Sequence, residues 1–407
     1  MRVMFTVSSH PTHYSAMVPL GWALQAAGHE VRVLCTPSQT AAVGRTGLLP
    51  VPVLDGMDVA TRLRLQYYWE AVNGIWPYPW LPTHPLTGER LDDLAGFDTA
   101  AFTAKVAPEL AARAARGFDA AVEFARAWRP GLVLHDPASL EGLLAARVTG
   151  VPSALCLWGP AGTHEPEHMR SVPTDHSGSF PRYGLGEFGL DMFDRVVDPC
   201  PPSLDVPVRA ARLPVRYVPF NGTSPVAPEW VEGPAPGRPR VCVTWSTALT
   251  RTSGPDSYLL PDIVRGLADV DCDVIVTATP ADVARLGRVP AGVQVLEYAP
   301  LQAVLPGCAA VVHHGGSGST LTSLWAGVPQ LLLTFASEQT ATARRVADTG
   351  AGTHALGHLA DRNFIGAAAG KLISDDSYRS AAAGLRAEML ARPTPARLVQ
   401  TLEELTA

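Results

Sequence analysis

Cysteine is sparse and scattered in this chain of 407 residues: Cys35, Cys156, Cys200, Cys242, Cys272 and Cys308 lie far apart with no CxxC pair. That spacing argues against a disulfide framework or a zinc knuckle and fits a reducing cytoplasm. Long apolar runs are missing too; none reaches the ~18 to 20 residues a membrane helix needs. The opening MRVMFTVSS runs into a strand rather than a signal peptide. A cytoplasmic protein with no membrane contact is expected. Basic clusters are lacking, since a net charge of −6 with dispersed lysine and arginine leaves no stripe for nucleic-acid phosphates. No chelating cluster stands out, and no catalytic metal is expected.

What is present is a repeating strand and helix rhythm. Val3 to Val7 is apolar, SSHPTH breaks it, Val18 to Ala27 reads as a helix, and Gly28 stops it before Val31 to Cys35. LVLHD followed by SLEGLLAARV and Gly150 repeats the unit. Proline- and glycine-rich sequence then runs from about Ala161 to Pro236 with weak periodicity, after which VCVTW, DVIVTA, VQVLEY, AAVVHH and PQLLLTF restart the alternation. The length suits two cores of about 150 to 200 residues. An α/β protein of two doubly wound, Rossmann-like domains facing across a cleft is predicted, with ligands at the carboxyl ends of the strands. The expected boundaries are residues 1–210, a linker over 211–238, a second domain over 239–385, and a terminal helix within 386–407 that packs back on the first domain. Leu63 to Leu86 carries six Tyr and Trp residues among prolines. It reads either as a loop packed on its own aromatics or as a lid touching an acceptor.

HHGGSGST is a glycine turn leading into a helix, a place where backbone amides and the helix terminus attract an anion. Its spacing fits neither GxGxxG nor the P-loop, which argues against a dehydrogenase, an epimerase or an ATPase. The longer run VVHHGGSGSTLTSLWAGVPQLLLTFASEQ is more specific. With PTHYSAMVPLGWALQAAGHEV, RPGLVLHDPASLEG, LWGP, DPCPPSL, RYVPFNG and RPRVCVTW, it resembles the inverting glycosyltransferases of family 1, which have the GT-B architecture. Within that family the chain is most similar to bacterial enzymes that attach TDP-deoxysugars to polyketides, such as the erythromycin and urdamycin glycosyltransferases.

The resemblance implies roles for particular residues. His314 is aligned with the diphosphate-binding histidine, with Gly316, Gly318, Ser319, Thr320 and Thr247 around the same phosphates. Ser246, where relatives usually carry glycine, precedes Thr247. Tyr298 and Ala299 stand at the base-recognition turn, and Glu338 with Gln339 at the pair that holds sugar hydroxyls. His13 corresponds to the general base and Asp136 to the acid that orients it; an imidazole can accept a proton near neutral pH. His10 is a rival assigned to the loop, and His313 is assigned a structural part. No cofactor is implied, the TDP-sugar being a co-substrate, and the partners are that donor and a hydrophobic aglycone. An O-linked product is expected, with a C-glycoside on an aromatic polyketide as the alternative. A non-catalytic auxiliary relative would be expected to have lost His13, Asp136, His314 or Glu338, all of which are intact. Some relatives form homodimers or need a helper protein, so either remains open.

Overall fold

A computed structural model describes residues 1–10, 12–223, 237–245 and 247–406, with the side chains of Thr247 and Ala248 left out of the description. Two parallel sheets make up the chain. The first contains β1 (Arg2–Thr6), β2 (Glu30–Leu34), β3 (Leu49–Val51), β4 (Leu132–His135), β5 (Ser153–Cys156), β6 (Arg195–Asp198) and β7 (Ala211–Pro214), in the order β3-β2-β1-β4-β5-β6-β7. The second contains β8 (Arg240–Thr244), β9 (Asp273–Ala278), β10 (Val293–Glu297), β11 (Ala310–His313), β12 (Gln330–Thr334) and β13 (Gly352–Leu356), in the order β10-β9-β8-β11-β12-β13. Each sheet turns back on itself once, between β1 and β4 and between β8 and β11. Those switch points open crevices at the carboxyl ends of the strands. Every residue of β4, β11 and β12 is buried, which is why these strands read as apolar runs rather than alternating ones.

The helices that shape the site are α1 (Val18–Ala26), α2 (Val59–Val72), α3 (Leu140–Thr149), α4 (Ser317–Ala326), α5 (Ser337–Asp348), α6 (Asp376–Ala391) and α7 (Pro395–Glu404). Two expected boundaries need correction. β7 hydrogen-bonds β6 through residues 195–198 and 211–214, so the first domain continues to Pro214, past the boundary at 210. Short strands rich in Pro and Arg had hidden it. The boundary at 385 also falls inside α6, whose Ala382, Leu385 and Met389 are buried at helical spacing. Beyond it, α7 buries Leu398, Val399 and Leu402 in the same apolar cluster as Val18 and Leu24 of α1, so this helix closes on the first domain.

The aromatic segment does pack partly on its own rings, Tyr67 against Trp76 and Tyr78 against Trp76 and Trp80, but it is not simply a loop. Its first half is α2, started by Asp58, whose carboxylate accepts from Thr61 N at 3.2 Å. Its second half crosses to the other domain: Tyr78 is buried in the core cluster of Val243, Trp245 and Phe335 and stacks on Phe335 at 5.9 Å. These aromatics pack on the partner domain rather than on one another alone.

Candidate active site

β1 delivers Ser8, His10 and His13 to the first crevice, and His13 opens a single 3-10 turn ahead of α1. The His13 ring is sandwiched between His10, 4.0 Å away, and Trp158, 3.7 Å away. Its Nδ1 meets Ser8 Oγ at 3.1 Å. Asp136 follows β4 and is fully buried; it accepts from Ser8 N at 2.7 Å and Ala138 N at 2.8 Å. The direct His13–Asp136 pair expected from sequence is therefore not formed among the described residues. Ser8 stands between the two, and both its N–H and its hydroxyl favour the ionised carboxylate. Burial nevertheless pushes Asp136 up to about 6. Burial, with help from His10 and Arg62, holds His13 well below 6.5, and His10 falls to about 4 for the same leading reason. Both imidazoles are neutral in the unliganded cleft. His10 Nδ1 lies 3.1 Å from Thr12 Oγ1, a local loop contact in keeping with the part assigned to it.

β11 delivers the glycine turn to the second crevice. His313 is fully buried: its Nδ1 accepts from Gly315 N at 3.0 Å and its Nε2 lies 2.9 Å from Gln330 Oε1, which fixes the Nε2–H tautomer. It shapes the turn, as expected of a structural histidine. Gly315 has φ +85°, a conformation that costs an L side chain about 1–2 kcal/mol. Gly316 caps α4, and a Cβ there would sit 2.6 Å from His314 Cε1, so the histidine folds over bare backbone. His314 Nδ1 is buried without a hydrogen-bond partner, and burial takes this imidazole down to about 3. In the unliganded cleft it is a neutral N–H donor rather than a partial cation. Gly318 and Ser319 follow in the first turn of α4 with their backbone N–H groups at its amino terminus. Thr320 is a correction. It is fully buried and its hydroxyl donates to Gly316 O at 3.1 Å, so its side chain is not available to an anion. Ser246 and the Thr247 side chain lie outside the described residues.

Glu338 and Gln339 start α5, directly across from His13. Trp158 Nε1 donates to Glu338 Oε1 at 3.4 Å, and Gln339 Oε1 accepts from Phe335 N at 3.2 Å. Burial raises Glu338, against the pull of Trp158 and Arg62. Trp158 thus touches both the candidate base and the candidate sugar acid. Around it the domains are fastened: Arg345 makes a two-pronged ion pair with Glu165 at 2.8 Å and donates to Pro160 O at 3.0 Å. Ser337 Oγ donates to Glu70. Gly159 packs on the start of α4.

At the end of β10, Tyr298 has φ +53° and is 59% exposed, while the Ala299 side chain joins the core cluster around Leu301 and Leu305. Ser8 and Trp158, which both touch His13, are residues that sequence reasoning missed, although SSH and LWGP carry them in plain view.

Two strings have the letters of metal motifs without the arrangement. HEPEH, His164 to His168, needs one helix to align its histidines; Pro166 interrupts it and Glu165 is committed to Arg345. DVD, Asp269 to Asp271, lies at the amino end of β9, away from the cleft, with its carboxylates paired to Arg362 and Arg238. Among the described residues no group of three or more His, Cys, Asp or Glu could hold a metal ion, and no helix is long and apolar enough to cross a membrane.

Comparison with known proteins agrees with this layout. Residues 22–246 match the N-terminal domain, and residues 262–405 the C-terminal domain, of the erythromycin biosynthesis protein CIII-like family. The 10-deoxymethynolide desosaminyltransferase of Streptomyces venezuelae is 36% identical over all of this chain and 97% of its own length. The tylactone mycaminosyltransferase of Streptomyces fradiae is 34% identical, over 100% and 93%. The solved glycosyltransferase VinC, in complex with DTDP, superimposes with a TM-score of 0.74 at 27% identity, covering 100% of this chain and 99% of that one. With both domain models matched and the GT-B architecture shared, the chain belongs to the erythromycin biosynthesis protein CIII-like family and is a glycosyltransferase.

Proposed function

We propose that the chain transfers a deoxysugar from a TDP-sugar to a hydroxyl of a polyketide aglycone, with inversion at the anomeric carbon and an O-glycosidic product. One observation carries the reading: Trp158 stacks on His13 and donates to Glu338, so a neutral base and a sugar-holding carboxylate share one contact across the cleft. The donors and acceptors are inferred from the names of the relatives and the DTDP complex of VinC.

In the step we write, His13 carries its proton on Nδ1, donating to Ser8 Oγ, and its Nε2 lone pair takes the acceptor proton. The acceptor oxygen forms a bond to the anomeric carbon as the bond to the diphosphate oxygen breaks, and TDP leaves with that electron pair. Asp136 acts through Ser8 on the imidazolium that forms. His314, the backbone of Gly316, Gly318 and Ser319, and Thr247 serve the departing diphosphate, where preorganised donors stabilise developing charge. Tyr298 and Ala299 serve the base through their backbone, and Glu338 with Gln339 serve the sugar. No cofactor is required beyond the co-substrate.

The test is to incubate the purified chain with TDP- and UDP-sugars and a panel of polyketide aglycones, reading products by mass spectrometry. His13→Ala should abolish transfer while TDP still raises the melting temperature. Absence of transfer with every donor, together with no stabilisation by TDP, would sink the reading.

A further inference from the structure

Arg62, Gln66 and Glu70 are spaced by four residues on α2 and share one helix face. Gln66 donates to Glu70 at 3.0 Å and to His168 O at 2.7 Å, and Glu70 receives Ser337 Oγ beside Glu338. One end of this stripe is thereby fixed at the first turn of α5. The other end is fixed to the β1 loop, where Val59 N donates to Ser9 Oγ at 3.0 Å. Arg62 is held between the two, within electrostatic reach of Glu338, Asp136, Tyr67, His10 and His13.

Its guanidinium makes no hydrogen bond or ion pair among the described residues, unlike Arg64 two positions on, which donates to Pro85 O, Arg251 O and Thr61 Oγ1. A guanidinium carries five donors, and on this half-buried side chain none of them is spent on a protein partner among the described residues. Both nearby carboxylates are already engaged, Asp136 by Ser8 and Ala138, and Glu338 by Trp158. The cation therefore keeps its donors free of protein partners while staying within electrostatic reach of both the base and the sugar acid.

The geometry points to Arg62 as an acceptor-selecting residue, whose guanidinium binds an anionic oxygen of the aglycone, either an ionised phenol or a carboxylate near the hydroxyl that reacts. This rests on the transferase reading above. The planar fork suits a carboxylate in two bonds and a phenolate in one, and charge-assisted bonds of this kind are the stronger class. The same positive field disfavours an imidazolium at His13, so it favours acceptors that bring negative charge of their own.

Wild type, Arg62→Lys and Arg62→Gln should be assayed on acceptors in matched pairs: a carboxylate and its methyl ester, a phenol and its methyl ether. Arg62→Gln is expected to raise KM roughly 10- to 100-fold for the carboxylate or the phenol member, the range for a lost bond to a charged group. The ester or ether member should stay within about twofold, and Arg62→Lys should recover part of the loss. Whichever pair responds identifies the anion. TDP-induced thermal stabilisation should be equal in all three proteins. Equal losses on both members of each pair, an unchanged KM, or loss of TDP stabilisation would overturn the assignment. Wild type that binds TDP yet transfers to no acceptor would instead bring down the transferase reading, and this one with it.

Discussion

Gly159→Ala is the sharpest probe of how the two domains are set against each other. A Cβ on Gly159 would lie 2.3 Å from Ser317 Cβ and 2.5 Å from Ser317 Oγ. Carbon atoms rest about 3.5–4.0 Å apart, so the loop and the start of α4 must separate by roughly 1–2 Å. Gly159 does not have a positive φ, so alanine fits its backbone and the effect is purely steric. The neighbour that moves with it is Trp158, which packs on His13 and donates to Glu338. A displacement of ~1 Å costs on the order of 100-fold in rate, and overpacking costs ~1–3 kcal/mol in stability. We expect kcat to fall roughly 10- to 100-fold with a lowered thermal midpoint, measured by steady-state kinetics and melting curves. Ser317→Gly, mild on its own in a first helical turn, should restore most of the activity in the double variant. Wild-type kinetics for Gly159→Ala, or a double variant no better than the single, would refute the close contact as drawn.

Ser8→Ala removes the hydroxyl that meets His13 while keeping the backbone N–H that donates to Asp136. A hydrogen bond worth about 1 kcal/mol predicts a fall in kcat/KM of roughly tenfold with TDP stabilisation unchanged; an inert Ser8→Ala beside a damaging Asp136→Asn would mean the coupling bypasses Ser8. Glu165→Ala leaves Arg345 without its ion-pair partner, and because that arginine keeps 19% exposure the loss should sit near the low end for a buried pair, about 3 kcal/mol. Its check is a lowered thermal midpoint that Arg345→Ala in the same chain does not worsen further. Stability against pH is also fixed in sign. His10, His135 and His313 are held at about 4 and His314 at about 3, so between those values and 6.5 the unfolded chain binds protons that the folded chain refuses. Asp136 at about 6 and Glu141 at about 7 act the other way, as do the raised Glu70 and Glu338, but these carboxylates are outnumbered by the imidazoles once His13, His164, His354 and His358, which burial also lowers, are added. The melting temperature should fall as pH drops from 6.5 toward 4, and a rise across that window would contradict the burial of these histidines.

Strands buried on both faces announced themselves as apolar runs, and the SSHPTH breaker after β1 and the glycine turn after β11 marked the switch points, so the two-domain plan and the places of His13, Asp136 and His314 along the chain could be read in the sequence. What stayed hidden depends on contacts between distant segments. Nothing local in Tyr78 says that it enters the core of the other domain, and nothing in Ser8 says that it stands between His13 and Asp136. Thr320 was misjudged because helical position, invisible in a motif, turns its hydroxyl onto Gly316 O. HEPEH and DVD have the letters of metal motifs, and only three-dimensional context shows that a proline breaks the first and arginines pair with the carboxylates of the second. Arg62 has no motif at all; only its unmet donors single it out.

The electrostatics of the cleft follow from one cause. Burial between two domains penalises every charged form, so His10, His13 and His314 are kept neutral and Asp136 and Glu338 are raised toward their neutral forms. Such a cleft, with Arg62 as the cation beside its base, resists stray protonation of that base. In the transfer proposed above that balance changes, because a proton arrives on His13 while negative charge gathers on the departing diphosphate. Each new charge meets a group already aimed at it: the imidazolium meets the carboxylate of Asp136 through Ser8, and the phosphate oxygens meet the amides that open α4. Burial therefore does two things at once here, holding the base in its reactive form before the reaction and strengthening the interactions that form during it.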